Sequence, residues 1–377
     1  MITHSLTSAC ALRRAAFTTL LVAAHAAIAG GIDRSQQNIS PLFESGTYAE
    51  LSVRAASPVT RGRDIASRET GDVLGNYVTG GLAFKQDVNK HLSYVAVLDE
   101  SIGADLQYPS EQGSGSALLG GTSAHLRSQE VKGLLRYKFD DTFSLHGGLR
   151  IESVRADISL LGEAYGPISG YRVAFDRNTE PGYVIGFAAE KPEIALHFAV
   201  TYDSQIVHRL DTSESISPGT GRTTIATPQS VNVSLQSDVA RNTLVFAQLR
   251  WVEWSRFRVT PPALGSLTNG ASLADFPNTT TYSLGTAYKF SPSFTGMGLM
   301  SIEGREGATP SLAVEPYKGN KTLGLGVVYN ANKYRLTTLL SYSKLGDTDV
   351  GVGGDAPVGA FHNGHVLGLG MKLGMEF

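Results

Sequence analysis

The chain has 377 residues, 32 Lys+Arg against 34 Asp+Glu, 42 glycines, 15 prolines and one cysteine, Cys10. A formal charge of −2 leaves no electropositive footprint for nucleic acid. This much glycine argues against a helical domain, and beyond the N-terminus no apolar run is long enough to cross a membrane as a helix.

Residues 1–29 read as a secretory signal. Arg13 and Arg14 form a basic start, residues 15–28 an apolar run too short to span a bilayer, and Ala27-Ile28-Ala29 a small-x-small cleavage site before Gly30. Cys10 precedes the apolar run, which does not suit a lipoprotein. Cleavage removes two cations and no acid, moving the charge from −2 to −4. It also removes the only thiol, and with it any disulfide, zinc–thiolate or cysteine-nucleophile chemistry.

From residue 48 onward, period-2 alternation dominates. It predicts strands centred on 48–55, 76–86, 92–100, 129–139, 143–159, 183–190, 194–208, 230–237, 243–259, 282–290, 294–303, 322–330, 334–344 and 366–377. In the last, Leu367, Leu369, Met371, Leu373, Met375 and Phe377 share one face, and Gly368, Gly370, Lys372, Gly374 and Glu376 the other. Connections alternate between short (140–142, 191–193, 291–293 and 331–333, with 87–91 and 238–242 somewhat longer) and long (57–75, 101–128, 160–182, 210–229, 260–280, 304–321 and 345–363). Tyr137, Phe139, Tyr288, Phe290 and Tyr329 sit just before short turns, and Trp251, Trp254 and Phe257 near the opposite end of their strand, as two interfacial girdles would.

Fourteen antiparallel strands, short turns on one side and long loops on the other predict an all-β, closed transmembrane barrel in a bacterial outer membrane, both termini on the periplasmic side. Hydrocarbon offers no partner to an edge strand's N–H and C=O groups, so the sheet must close. The terminal Phe377 is similar to the end signal that outer-membrane barrels present to the barrel assembly machinery.

The stretch from Thr227-Pro228-Gln229-Ser230 to Trp254-Ser255-Arg256-Phe257 resembles the FadL-type family of outer-membrane transporters, in which a strand begins after a Pro-x-x motif and ends in W-S-x-F. Ile102 to Pro109, Arg136-Tyr137 with Phe143-Ser144-Leu145, Thr309-Pro310, Leu323-Gly324-Leu325-Gly326 and Leu345-Gly346-Asp347 resemble further parts of it. The resemblance implies passive uptake of long-chain fatty acids or other hydrophobic compounds, past the lipopolysaccharide headgroups and sideways into outer-membrane lipid. The exit would be a kink in the third strand, placed at Gly103, Ala104 and Asp105, where glycine weakens the ladder. It also implies an N-terminal plug over 30–47, the barrel filling 48–377. That segment is shorter than the family's usual hatch and lacks Asn-Pro-Ala; Ser40-Pro41-Leu42, followed by Phe43, is nearest.

Alternation assigns Lys132, Arg136 and Lys138, then His146, Arg150 and Glu152, then His197 and Asp203, then Gln248 and Arg250 to the lumen. Leu135, Leu145, Leu149, Leu196, Phe198 and Leu249 take the lipid face. Lumenal cations either attract a carboxylate head or, as barrel lumens generally do, pair with acids and with the plug. Apolar residues in the long connections, Leu118 and Leu119, Leu264, Leu267, Leu273 and Phe276, suit either an outer capture groove or loop-on-loop packing.

No chemistry of catalysis emerges, so neither enzyme nor cofactor is expected. Gly324-x-Gly326 lies inside a strand and is no nucleotide loop. His362 and His365 lack a nearby acid or thiol partner for a metal, and no G-x-S-x-G occurs. Two other functions fit a barrel: a general porin for small hydrophilic solutes, and a structural or adhesive barrel working through its outer loops.

Overall fold

The structure is a computed structural model and describes residues 32–35, 38–110, 115–305, 311–353 and 356–377. The signal reading at 1–29, with Cys10, lies outside these residues. Fourteen strands form one closed antiparallel barrel. They are β1 (Tyr48–Val59), β2 (Tyr77–Asp87), β3 (Leu92–Asp99 and Gly103–Gln107), β4 (Ser123–Lys138), β5 (Phe143–Leu160), β6 (Tyr171–Lys191) and β7 (Leu196–Asp203 and Ile206–Glu214). There follow β8 (Thr220–Thr227 and Ser230–Ala240), β9 (Thr243–Val252), β10 (Thr279–Lys289), β11 (Phe294–Arg305), β12 (Asn320–Ala331), β13 (Tyr334–Leu345) and β14 (His365–Glu376). Each pairs with its sequence neighbours, and β1 closes on β14 from Tyr48↔Glu376 to Val59↔His365.

Three of the short turns share one device. Asp140 accepts backbone N–H bonds from Thr142 and Phe143 (both 2.7 Å), Asn89 from His91 and Leu92 (both 2.9 Å), and Ser291 from Ser293 (3.3 Å) and Phe294 (3.1 Å). A short polar side chain thus substitutes for a missing backbone partner where the chain reverses. Those two amides hold the Asp140 carboxyl below its usual range. Outward-facing aromatics gather at this end: Tyr137 and Phe139 (centroids 5.5 Å apart), Tyr288 and Phe290 (5.0 Å), Phe294 and Tyr329 (4.9 Å). They form the expected girdle.

Glycines opposite flat side chains help fill the lumen. A Cβ on Gly285 would lie 2.2 Å from Phe246 Cζ, and one on Gly374 would lie 2.3 Å from Tyr48 Oη. The neighbouring ring lies over the bare backbone, and that close approach requires glycine.

The wall changes character along its height. At membrane level β5 turns Leu145, Leu149 and Ile151 outward and Ser144, His146, Arg150 and Glu152 inward. Farther from the short turns it turns Arg155 and Asp157 outward, with Val154, Ile158 and Leu160 buried inside. β7 and β8 do likewise, with Arg209, Asp211 and Arg222 outside and Leu210 and Ile225 inside. The outer part of the barrel is therefore a tube in water with an apolar bore. This corrects the boundaries: much of 101–128, 160–182 and 210–229, expected as loops, continues the strands.

On β4 and β5 the same parity faces in throughout, whereas in four other strands an irregularity switches it. β3 breaks between Asp99↔Glu130 and Gly103↔Arg127, three residues facing two. β6 bulges at Asp176–Arg177, opposite Arg155, and β7 and β8 break side by side, at 204–205 and 228–229.

Candidate functional site: an apolar chamber beside an interrupted wall

The apolar bore forms one cluster. Leu106, Val154, Phe175, Leu210 and Ile225 come from the wall, Tyr108, Leu119, Trp254, Phe257 and Phe276 from connections. Trp254, Phe257 and Phe276 meet pairwise with centroids 5.8–6.1 Å apart. Trp254 and Phe257 therefore belong to no lipid girdle, contrary to expectation. A 3₁₀ turn at Trp254–Arg256 follows the end of β9 and carries both rings inward, where apolar area is hidden from water. Val350 and Phe361 join from a small sheet of connecting segments, Arg61–Asp64, Glu69–Asp72, Ser311–Leu312, Thr348–Gly351 and Gly359–Phe361.

Of the apolar residues expected in the outer connections, Leu119 and Phe276 are buried in this cluster and Leu118 packs against it. Leu267 does not join: it is 67% exposed at the end of the helix Pro262–Leu267. That helix is anchored by Glu214, whose carboxylate accepts N–H bonds from Ala263 and Leu264 (both 2.8 Å) and the Tyr171 hydroxyl (2.9 Å).

Below the chamber lies a buried ionic layer. Lys132 pairs with Glu130 (2.8 Å), and Arg150 with Glu130 (2.5 Å) and Glu152 (3.7 Å). Glu152 also accepts from Ser101, from Thr227 (2.6 Å) and from His208 (3.2 Å). These charged side chains have relative exposures of 0–1%, so each buried charge is matched by an opposite one rather than solvated. Lower still, Arg136 pairs with Glu190, His197 lies 3.5 Å from the same carboxylate, and His146 is bonded to Thr201 (3.0 Å). Of the residues assigned to the lumen, Lys132, Arg136, His146, Arg150, Glu152, His197, Asp203, Gln248 and Arg250 are buried inside, and Lys138 is half-buried.

The described N-terminal residues also lie inside. Asp33 pairs with Arg250 (2.8 Å), and Glu44 with Arg335 (3.2 Å). The turn Ser40–Phe43 buries Pro41 and Leu42 and sets the Phe43 ring 4.5 Å from His197 and 5.6 Å from His146.

One seam of the wall is incomplete. The β2–β3 ladder stops at Leu82↔Leu98. Contact resumes only where Leu74 bridges Leu106 and Gly75 N–H donates to Asp105 O (2.8 Å). Among the described residues no registered pairing joins 77–81 to 99–104. The segment before the turn uses the freed edge: Asp33 bridges Ile102, and Gly103 N–H donates to Ile32 O (2.8 Å). Arg34 lies across the seam, Nε donating to Gly103 O (2.9 Å) and guanidinium 3.2 Å from the Tyr77 ring centroid. A cavity lined by Arg34, Leu74, Tyr77, Ala104, Leu106 and Phe276 joins seam to chamber.

The expected kink is displaced. The break falls at 100–102, held inward by Ser101 and Ile102. Gly103, Ala104 and Asp105 instead start the outer half of β3, paired with Arg127, Leu126 and His125. Arg34 and Tyr77 were not singled out from sequence. Nothing local marks them, since their pairing joins residues 43 apart.

A profile of the family described as outer membrane protein transport protein (OMPP1/FadL/TodX) matches residues 27–297. The chain belongs to this family. A Pseudomonas aeruginosa FadL homologue superposes with a TM-score of 0.72 at 14% identity, covering 94% of this chain and 98% of that one. The Pseudomonas putida toluene transporter TodX gives 0.65 at 14% (90% and 92%), and the Ralstonia pickettii toluene transporter TbuX 0.62 at 13% (93% and 97%). At such identities the likeness is one of fold. No curated protein matches the sequence. As a member of the OMPP1/FadL/TodX family, the chain is an outer-membrane transport barrel.

Proposed function

We propose that this protein carries hydrophobic small molecules, long-chain fatty acids or other apolar compounds, across the outer membrane by passive diffusion. The molecule enters the apolar chamber and leaves sideways between β2 and β3 into the bilayer. One observation carries this reading: the apolar bore connects, through the cavity at Arg34 and Tyr77, with the seam where the ladder is missing. A ligand following that path never meets the ionic layer below. On this reading residues 30–47 act as a short plug, tied by Asp33 and Glu44, and residues 1–29 as the cleaved export signal. The solved structures that this chain resembles include toluene transporters, which supports an apolar cargo.

A general porin needs a water-filled lumen. The ionic layer, closed to water at Lys132, Arg150 and Glu152, speaks against that reading.

The chain has two tryptophans, and only Trp254 lies in the chamber cluster. In a Trp251→Phe variant, oleate and toluene are expected to shift Trp254 emission saturably, while steady conductance in a planar bilayer stays low. A large stable conductance indifferent to oleate would overturn the proposal.

A further inference from the structure

Just outside the lipid-facing band, the wall carries a row of arginines on β4–β7. The registers place them. Val131 faces Ile151, then Gln129 faces Ser153, and next Arg127 faces Arg155 directly. Arg177 occupies the β6 bulge opposite Arg155, and Arg209 lies three residues toward the membrane from the registered pair Thr212↔Phe175. All four point outward and are exposed. The row therefore begins two residue pairs, about 14 Å along the strand, beyond the apolar pair Val131 and Ile151.

Like charges directly opposite on a ladder are destabilising, and little within the chain offsets this pair. Arg127 contacts Asp105 (3.0 Å). Arg177 reaches only the neutral Gln129 (3.3 Å) and Ser153 (3.5 Å). Among the described residues Arg155 and Arg209 have no carboxylate within ion-pair distance. Of the nearby acids, Asp211 is engaged by Arg222, Asp157 lies farther out opposite His125, and Asp176 shares the bulge. The device recurs on β12 and β13, where outward Lys321 faces Lys344, one pair beyond Leu323 and Tyr342.

We propose that Arg127, Arg155, Arg177 and Arg209 form a docking site for the phosphate groups of outer-leaflet lipopolysaccharide. Guanidinium presents paired N–H donors that match a phosphate's oxygens, and a phosphate lying between Arg127 and Arg155 neutralises their repulsion. The height suits a lipid whose acyl chains lie against Val131, Ile151 and Val207 and whose charged head is held at the interface. This surface is independent of what passes through the barrel.

The test uses the mature full chain refolded in detergent, then placed in vesicles of phosphatidylcholine with or without lipopolysaccharide. Phosphorylated lipopolysaccharide is expected to raise the thermal midpoint of the wild type and to co-purify with it. The effect should weaken with salt. In R155Q/R177Q/R209Q the midpoint shift should vanish and the apparent affinity fall about tenfold or more. The midpoint in plain phosphatidylcholine should stay as in the wild type, which separates docking from folding. If the triple variant does not refold, Arg155→Glu alone should abolish the shift. A shift that survives these substitutions overturns the proposal. So does an equal shift with dephosphorylated lipopolysaccharide, or displacement of the lipid by inorganic phosphate at matched concentration, which would mean a small-anion site.

Discussion

The carboxylate of Glu152 on β5 accepts the hydroxyl of Ser101 at the break in β3, so the apex of that break is bonded to a strand two places away. The same carboxylate carries Thr227 and His208 and faces Arg150. Removing it takes the buried acceptor from Ser101, Thr227 and His208 at once and leaves Arg150 with Glu130 as its close counter-charge; removing Ser101 removes one donor of several. Glu152→Ala is expected to cost about 3–5 kcal/mol and Ser101→Ala about 1 kcal/mol, read by urea unfolding in detergent. Equal effects would mean that the break is held by something else.

Arg34 fills the incomplete seam between β2 and β3. Arg34→Ala removes both the bond to Gly103 O and the contact with Tyr77, and should raise the rate at which oleate reaches vesicle lipid. A rate unchanged or lowered would speak against lateral release.

Leu325 and Leu267 are similarly exposed, at 74% and 67%, but they face different solvents. Leu325 lies mid-strand on β12, where arginine faces hydrocarbon and should cost about 2–4 kcal/mol. Leu267→Arg, on a connecting helix in water, should change stability by no more than about 0.5 kcal/mol. Unfolding free energies in lipid vesicles check both, and similar values would place the bilayer elsewhere.

Gly285 accepts the Phe246 ring from β9. Gly285→Val should destabilise by about 1–3 kcal/mol through overpacking. In the Phe246→Ala background the penalty should shrink, a coupling that a double-mutant cycle reads directly.

The Asp140 carboxyl is held low by two turn amides. A group whose folded pKa is depressed stabilises the fold above its unfolded pKa and loses that contribution as pH falls through the folded value. Wild type should therefore exceed Asp140→Asn in stability at neutral pH, the gap closing below the usual carboxylate range. A gap independent of pH would assign the effect to turn geometry alone.

Much of the membrane-level barrel was legible. Outward Leu145 and Leu149 against inward His146 and Arg150 are enough to orient β5, and Asp140-Asp141-Thr142 ends the hairpin. The outer half was not, because alternation reports only that two faces differ. Around Leu210, flanked by Arg209 and Asp211, the apolar side faces inward; a periodicity that assigns the apolar face to lipid misreads such a segment, and Gly- and Ser-rich neighbours then make it resemble a loop. Trp254 and Phe257 were misplaced for a related reason: an aromatic near a strand end looks the same whether the chain then turns outward or inward. The N-terminal contacts, such as Asp33 with Arg250, join residues 217 apart and leave no local pattern.

The breaks in β3, β6, β7 and β8 give these strands something like a reading frame. Each shifts the inward-facing parity by one, so an even-numbered residue points in on one side of the break and an odd-numbered one on the other. Deleting a single residue at 204–205 would shift every position beyond it, exchanging Leu210 for Arg209 and Asp211 in the bore and leaving Leu210 in water. A loop of the same length tolerates such a loss, but here one missing residue is a frameshift in space.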